Sequence, residues 1–293
     1  MTATDPNTAI NEIAERFFEG VLEREPIFAT ILGDDRFDDR LPDLGAEGRA
    51  EEARVYRALL AEAEPIGPEG LEPEQVITRD MLILVAHNNL EAQDAKLYEL
   101  AINHISGVQT MPVMVAQYQL AETPEGLEKL LARFRAYPAA VDQYIDTLRE
   151  GISDGRTSAA IPVRKQVEQI ERLIATPTDQ FPAVTLAHVA DDAARAQVAK
   201  AVDEHIKPAL QHLRDFLADE YEPHAMPEPG ISATPNGQEA YRLAIRMQTT
   251  LATSAEEVHA FGLADLEAIE AEKDEIARRL GHADRHALRA ALA

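Results

Sequence analysis

Two pairs of residues in this chain have spacings that metal chemistry could use. His282 and His286 stand four apart in His282-Ala283-Asp284-Arg285-His286, which would set two imidazoles on one face of a helix. Glu256 and His259 have the Glu-x-x-His spacing of carboxylate-bridged di-metal bundles. Neither pair is a complete centre. In a helical zinc peptidase the residue after the first histidine is the glutamate that acts as general base, and here it is Ala283. A di-metal bundle needs a second Glu-x-x-His and two further inward glutamates, and a single copy is present. The first pair therefore reads as part of a solvated terminal helix, and the second as a capped helix start with a buried or half-buried histidine. His205 and His212, seven apart among Ile206, Leu210 and Leu213, read as partly buried helix histidines. With no cysteine, a thiolate nucleophile and thiolate zinc sites are excluded. Neither a Gly-x-x-x-x-Gly-Lys loop nor a Gly-x-Gly-x-x-Gly turn is present to cradle a nucleotide phosphate.

The elements that would position such residues are helices. Leu127, Leu130, Leu131, Phe134, Val141, Tyr144, Ile145 and Leu148 recur at helical spacing, opened by Thr123-Pro124-Glu125 with an N-cap, a first-turn proline and a first-turn acid. Pro138 interrupts this pattern and predicts a kink or a break. A second stripe runs through Val198, Val202, Ile206, Leu210, Leu213, Phe216 and Leu217, interrupted by Pro208. A third runs through Val258, Phe261, Leu266, Ile269, Ile276 and Leu280, with a capping box predicted from Ser254 to Glu257 and a C-terminal stop at Gly281. Shorter helical patterns cover roughly 7–20, 46–63, 73–100 and 161–174. No strand series and no internal repeat is evident, so the fold class is all-α, a multi-helical array of long, partly kinked antiparallel helices.

Composition agrees. The 293 residues are rich in Ala, Leu, Glu and Arg, all strong helix formers, and a chain of this size can bury a substantial core. Its 52 acids against 28 Lys and Arg give a formal charge of −24, spread along the chain, which argues against nucleic acid as a partner. No segment approaches the ~20 apolar residues of a membrane helix, and Met1 to Arg16 lacks the apolar core of a secretory signal. The expectation is a cytoplasmic protein with no membrane partner. Oligomeric state has no signature in the sequence. The longest stretch without periodicity is the Pro/Gly-rich loop 223–237, ending in the turn signal Pro235-Asn236-Gly237. Beyond it, Arg285 to Ala293 is a fresh helical pattern that stops without Gly, Pro or a polar cap, the expectation for a fragment or a naturally short chain.

Several segments, taken in order, resemble a known bacterial family. They are Pro26-Ile27-Phe28-Ala29-Thr30 with Leu32-Gly33-Asp34 and Asp38 to Asp43, then Ala136-Tyr137-Pro138 leading to Leu148-Arg149-Glu150-Gly151-Ile152. Phe216 through Tyr221, Gly230, Pro235-Asn236-Gly237 and Tyr241 follow, and then Glu257-Val258-His259 with Gly262-Leu263. This succession resembles the family known as domain of unknown function 885, whose members are about twice this length and look like helical zinc metallopeptidases, similar to carboxypeptidases. The resemblance implies that residues 1–293 are the N-terminal helical portion of a larger domain, forming part of the wall of a peptide-substrate cleft. It implies a hydrolase whose zinc sits on a downstream His-Glu-x-x-His helix. That motif is absent here, so no metal ligand, catalytic residue or cofactor is assigned to this chain, and zinc is expected only with a downstream half. Asn236, Gly237, Tyr241 and His259 are the candidates for approaching such a cleft. The alternative is a self-standing helical interaction or scaffold protein without catalysis. An exposed apolar surface where a second half would dock separates the two, since a scaffold would seal its surface with polar residues.

Overall fold

The computed structural model describes residues 5–227 and 230–292. The architecture is all-α, and the chain divides into two compact units, Met1–Gly237 and Gln238–Ala293. In chain order the helices are α1 (Pro6–Arg24), α2 (Pro26–Ile31), α3 (Ala46–Ala63), α4 (Pro73–Asp94), α5 (Met111–Tyr118), α6 (Pro124–Ser153), α7 (Ala160–Ala175), α8 (Pro182–Thr185), α9 (Asp192–Ala201), α10 (Lys207–Asp215), α11 (Gly237–Thr249), α12 (Ala255–Arg279) and α13 (Arg285–Leu292). The strands described are two short ones, β1 (Leu120–Ala121) and β2 (His188–Val189), paired in parallel with Leu120 opposite His188.

The first unit has two cores. In one, Ile10 and Ile13 of α1 meet Tyr56 and Leu59 of α3 and Leu82 and Ala86 of α4. The other is built on α6, whose Leu130, Phe134, Tyr137, Val141, Tyr144, Ile145 and Leu148 are buried together with Val163 and Ile170 of α7 and the 198–217 stripe. The Thr123 hydroxyl caps α6 by accepting from the Gly126 N–H at 3.0 Å. No break occurs at Pro138, because α6 runs through it as one helix of 30 residues. A proline inside a helix costs about 3 kcal/mol. Burying each large side chain on its two sides returns about 1.5–3 kcal/mol, so packing outweighs the lost bond.

The stripe from Val198 to Leu217 is buried along its whole length. Its repeated spacing of four would drift around a regular α-helix, and the backbone compensates with two π-helical segments, at Val202–Ile206 and Phe216–Tyr221. The first ends where α10 begins, so Pro208 falls in the opening turn of α10, where its missing N–H is tolerated.

In the second unit α12 begins with the predicted capping box, Ser254 and Glu257 exchanging side chain-to-backbone bonds. It ends in a Schellman turn. Gly281 has φ +84°, its N–H donates to Arg278 O at 3.1 Å, and the His282 N–H donates to Ala277 O at 2.9 Å. The chain then reverses into α13, pinned where the Arg285 N–H and Nη1 donate to the two Asp274 carboxylate oxygens at 2.8 and 2.6 Å. No helix among the described residues is long and apolar enough to cross a membrane.

Candidate functional site

The first unit is organised by two buried arginines. Arg133 projects from α6 with a side chain of 0% exposure. Its Nε donates to Arg40 O at 2.7 Å and its Nη1 to Gln119 Oε1 at 2.9 Å, while Nη2 donates to Pro26 O at 2.9 Å and Phe37 O at 3.1 Å. The Asp38 carboxylate lies 3.6 Å away and accepts from the Thr30 hydroxyl at 2.5 Å. Burial lowers the guanidinium to about 10, with Asp38 opposing, so it remains a cation at neutral pH. One side chain thus gathers the segment from Pro26 to Arg40.

Arg156 does the same for the loop that closes the unit. Its Nη1 donates to Pro235 O at 2.8 Å, its Nη2 donates to Ala95 O at 2.6 Å, and its Nε lies 2.8 Å from the fully buried Glu99 carboxylate. The 223–237 loop, with Glu228 and Pro229 outside the described residues, is held further by a bridge between Ala159 and Met226. Asn236 takes the positive φ expected of it, at +57°. Gly237 is needed for a different reason. Its φ is not positive, and a Cβ there would stand 1.8 Å from Ile231 O.

Of the cavities near the Arg133 cradle, two share a wall. An acidic chamber of about 620 Å³ is lined by Glu23, Glu25, Glu47, Glu51 and Glu52 among others, with Arg49 bound away to Glu150 and stacked on Tyr98. A groove of about 420 Å³ is lined mainly by apolar side chains, including Ile27, Phe28 and Ile31 of α2 and Met111 and Met114 of α5. Glu25, Leu44, Ala101 and Tyr144 line both. Among the described residues, Glu25 is the sole charged one lining the groove. Loss of water around it, and then the Glu52 carboxylate, push its carboxyl up.

The histidines do not assemble a centre. His282 falls in the turn after α12 and His286 in α13, so the two do not share a helix face, because Gly281 ends α12 just before His282 and the next helix starts only at Arg285. His259 is exposed on the first turns of α12, not buried or half-buried, since its side of that helix has no partner among the described residues. His212 is exposed beside Asp142 at 3.4 Å, while His205 is half-buried in the π-helical segment, as expected. Among the described residues no three His, Asp or Glu side chains stand together as a metal would require, so these residues do not fit a zinc centre. Of the four cleft candidates, Asn236 and Gly237 end the first unit, whereas Tyr241, exposed on α11, and His259 belong to the second. None of the four lines the two cavities. Gly151-Ile152-Ser153-Asp154-Gly155 matches the Gly-x-Ser-x-Gly pattern of a nucleophile elbow, but Ser153 ends a helix and does not follow a strand, so the elbow geometry is missing.

Both the fold and this site define an all-helical protein whose first unit is held by buried arginines around an open cleft. The chain belongs to the bacterial family described as "Bacterial protein of unknown function (DUF885)", whose profile matches residues 26–293. The match begins at Pro26, whose carbonyl Arg133 holds. Among solved structures, a chain from Colwellia psychrerythraea described as a "putative lipoprotein" is similar, with a TM-score of 0.77 and 15% identity, over 96% of this chain and 52% of that one. That likeness shows the fold. The present chain spans about half the length of its neighbour. No curated protein matches it in sequence.

Proposed function

We propose that this chain is the N-terminal helical portion of a larger, zinc-peptidase-like protein, forming part of a peptide-binding wall and inactive alone. The observation that carries the reading is the outer surface of α12. Val258, Phe261, Leu266 and Ile269 fall on one side of that helix, and all are exposed, Phe261 at 75%. Large apolar side chains at helical spacing signal a face built to be covered, because each returns about 1.5–3 kcal/mol when buried. The half of the neighbour's length that has no counterpart here is consistent with a covering segment. On this reading zinc and the general base belong to that segment, and peptide is the substrate of the complete protein. The sealed polar surface expected of a self-standing scaffold is not what α12 presents. Cytoplasmic placement is likewise a proposal, and the neighbour's description as a lipoprotein does not support it.

The test replaces Phe261 and Leu266 together by serine. In the isolated chain these exposed positions tolerate the change within about 0.5 kcal/mol, and binding of a hydrophobic dye falls. In the longer protein the same pair destabilises the joined halves and lowers zinc-dependent peptide hydrolysis. Equal stability and activity there would remove the reading.

A further inference from the structure

The groove beside α2 has a composition that specifies a ligand. Phe28 and Ile31 stand 43% exposed on it although both are large and apolar, and Met111 and Met114 oppose them with adaptable thioether side chains. Its volume of about 420 Å³ lies within the range of small-molecule sites, which are mostly apolar with a few placed polar groups. Here the placed group is Glu25. It occupies the N-cap position of α2 yet does not cap it, and among the described residues its carboxylate has no hydrogen-bond or ion-pair partner. Its nearest charged influences are Glu52, which repels it, and Arg24, whose effect is the weaker. Glu52 itself is occupied, accepting from the Tyr56 hydroxyl at 3.2 Å and from Gln93 at 2.9 Å. An exposed carboxylate with no hydrogen-bond or ion-pair partner among the described residues, beside an apolar trough, is complementary to a cation that carries an apolar group.

The backbone around it is fixed. Pro26 O is held by Arg133, and the Tyr144 hydroxyl donates to Ala101 O at 3.3 Å on the opposite wall. Preorganisation of this kind lowers the ordering cost of binding. We infer that the α2–α5 groove is a binding site for a small organic cation with a bulky apolar substituent, such as the amino end of a peptide that begins with a large apolar residue. Glu25 receives the ammonium, and Phe28, Ile31, Met111 and Met114 receive the side chain. The inference concerns residues of the first unit alone and does not depend on what covers α12.

Titration calorimetry of the whole chain with three probes tests it. These are phenylalaninamide, its neutral N-acetyl derivative, and phenylacetate as the anion of similar shape. Phenylalaninamide binds in one-to-one stoichiometry and at least about tenfold tighter than the neutral probe, the gain of one charge-assisted hydrogen bond. Phenylacetate does not bind. E25Q removes the preference for the cation and leaves the neutral probe unchanged, whereas F28A weakens both. Because Glu25 is unpaired and Phe28 is half exposed, both variants keep the wild-type melting profile. E125Q, which removes an acid elsewhere on the surface, leaves phenylalaninamide binding intact and separates this site from general attraction to an acidic protein. Absence of saturable phenylalaninamide binding, or equal binding by E25Q, overturns the inference. So does protection of the groove by another segment in the longer protein.

Discussion

Replacing Arg133 by alanine removes the donor to four acceptors at once, the carbonyls of Pro26, Phe37 and Arg40 and the Gln119 side chain. Each buried acceptor left without a donor costs about 1–3 kcal/mol. Asp38, itself only 7% exposed at its side chain, loses its counter-charge, a change that costs about 3–5 kcal/mol in a buried pair. The vacated space is polar and the size of a side chain, so water enters and restores part of the loss. The expected net destabilisation is about 4–6 kcal/mol. R133K keeps the charge but lacks the fork that reaches four acceptors, so it should lose about 2–3 kcal/mol. Urea unfolding measures both, with the midpoint shifted and the slope unchanged. Amide exchange then locates the damage in residues 26–43. D38N supplies the control, since it leaves the four hydrogen bonds in place and costs less than R133A. A loss below about 1 kcal/mol in R133A, or exchange that quickens elsewhere first, would refute the view that this guanidinium organises the segment.

Gly237→Ala places a Cβ against Ile231 O, and the required backbone shift is expected to cost more than about 2 kcal/mol and to speed exchange at Thr234 and Gly237. The capping box gives a pH dependence. Hydrogen bonds from the Ser254 N–H, then from the Thr253 and Ser254 hydroxyls, hold the Glu257 carboxyl below its ordinary range. Its support for the start of α12 is therefore fully present above the unfolded value near 4.3 and is lost as the pH falls through the lowered folded value. Amide exchange in the first turn of α12 should quicken across that acid window in the wild type, and E257Q should show no such step.

Much of the fold is legible in the amino-acid order because caps and periodicity are local. The span Ala46–Ala63 follows from its helical pattern, and Ser254 and Gly281 mark the ends of α12 through side-chain and φ requirements that act within a few residues. Every member of the 198–217 stripe is buried, although the π-helical segments that align it are visible only in the backbone. Arg133 could have been found. It lies three residues after Leu130 and four before Tyr137, on the apolar stripe of α6, where a charge signals a buried pair. The groove has no such trace, because Phe28 and Met114 are far apart in the chain and only the tertiary packing of α2 against α5 brings them together. Periodicity identified α12 as a helix but not what covers it, since a stripe states that a face is apolar and says nothing of its partner.

The most direct measurement is the mass of the native product in cells, taken by intact mass spectrometry after capture with an antibody raised against this chain. A product close to twice 32.3 kDa, with α12 amides strongly protected from exchange, is the result expected of a chain that forms one half of a larger helical protein. A native product of 32.3 kDa with α12 still open to solvent would contradict it.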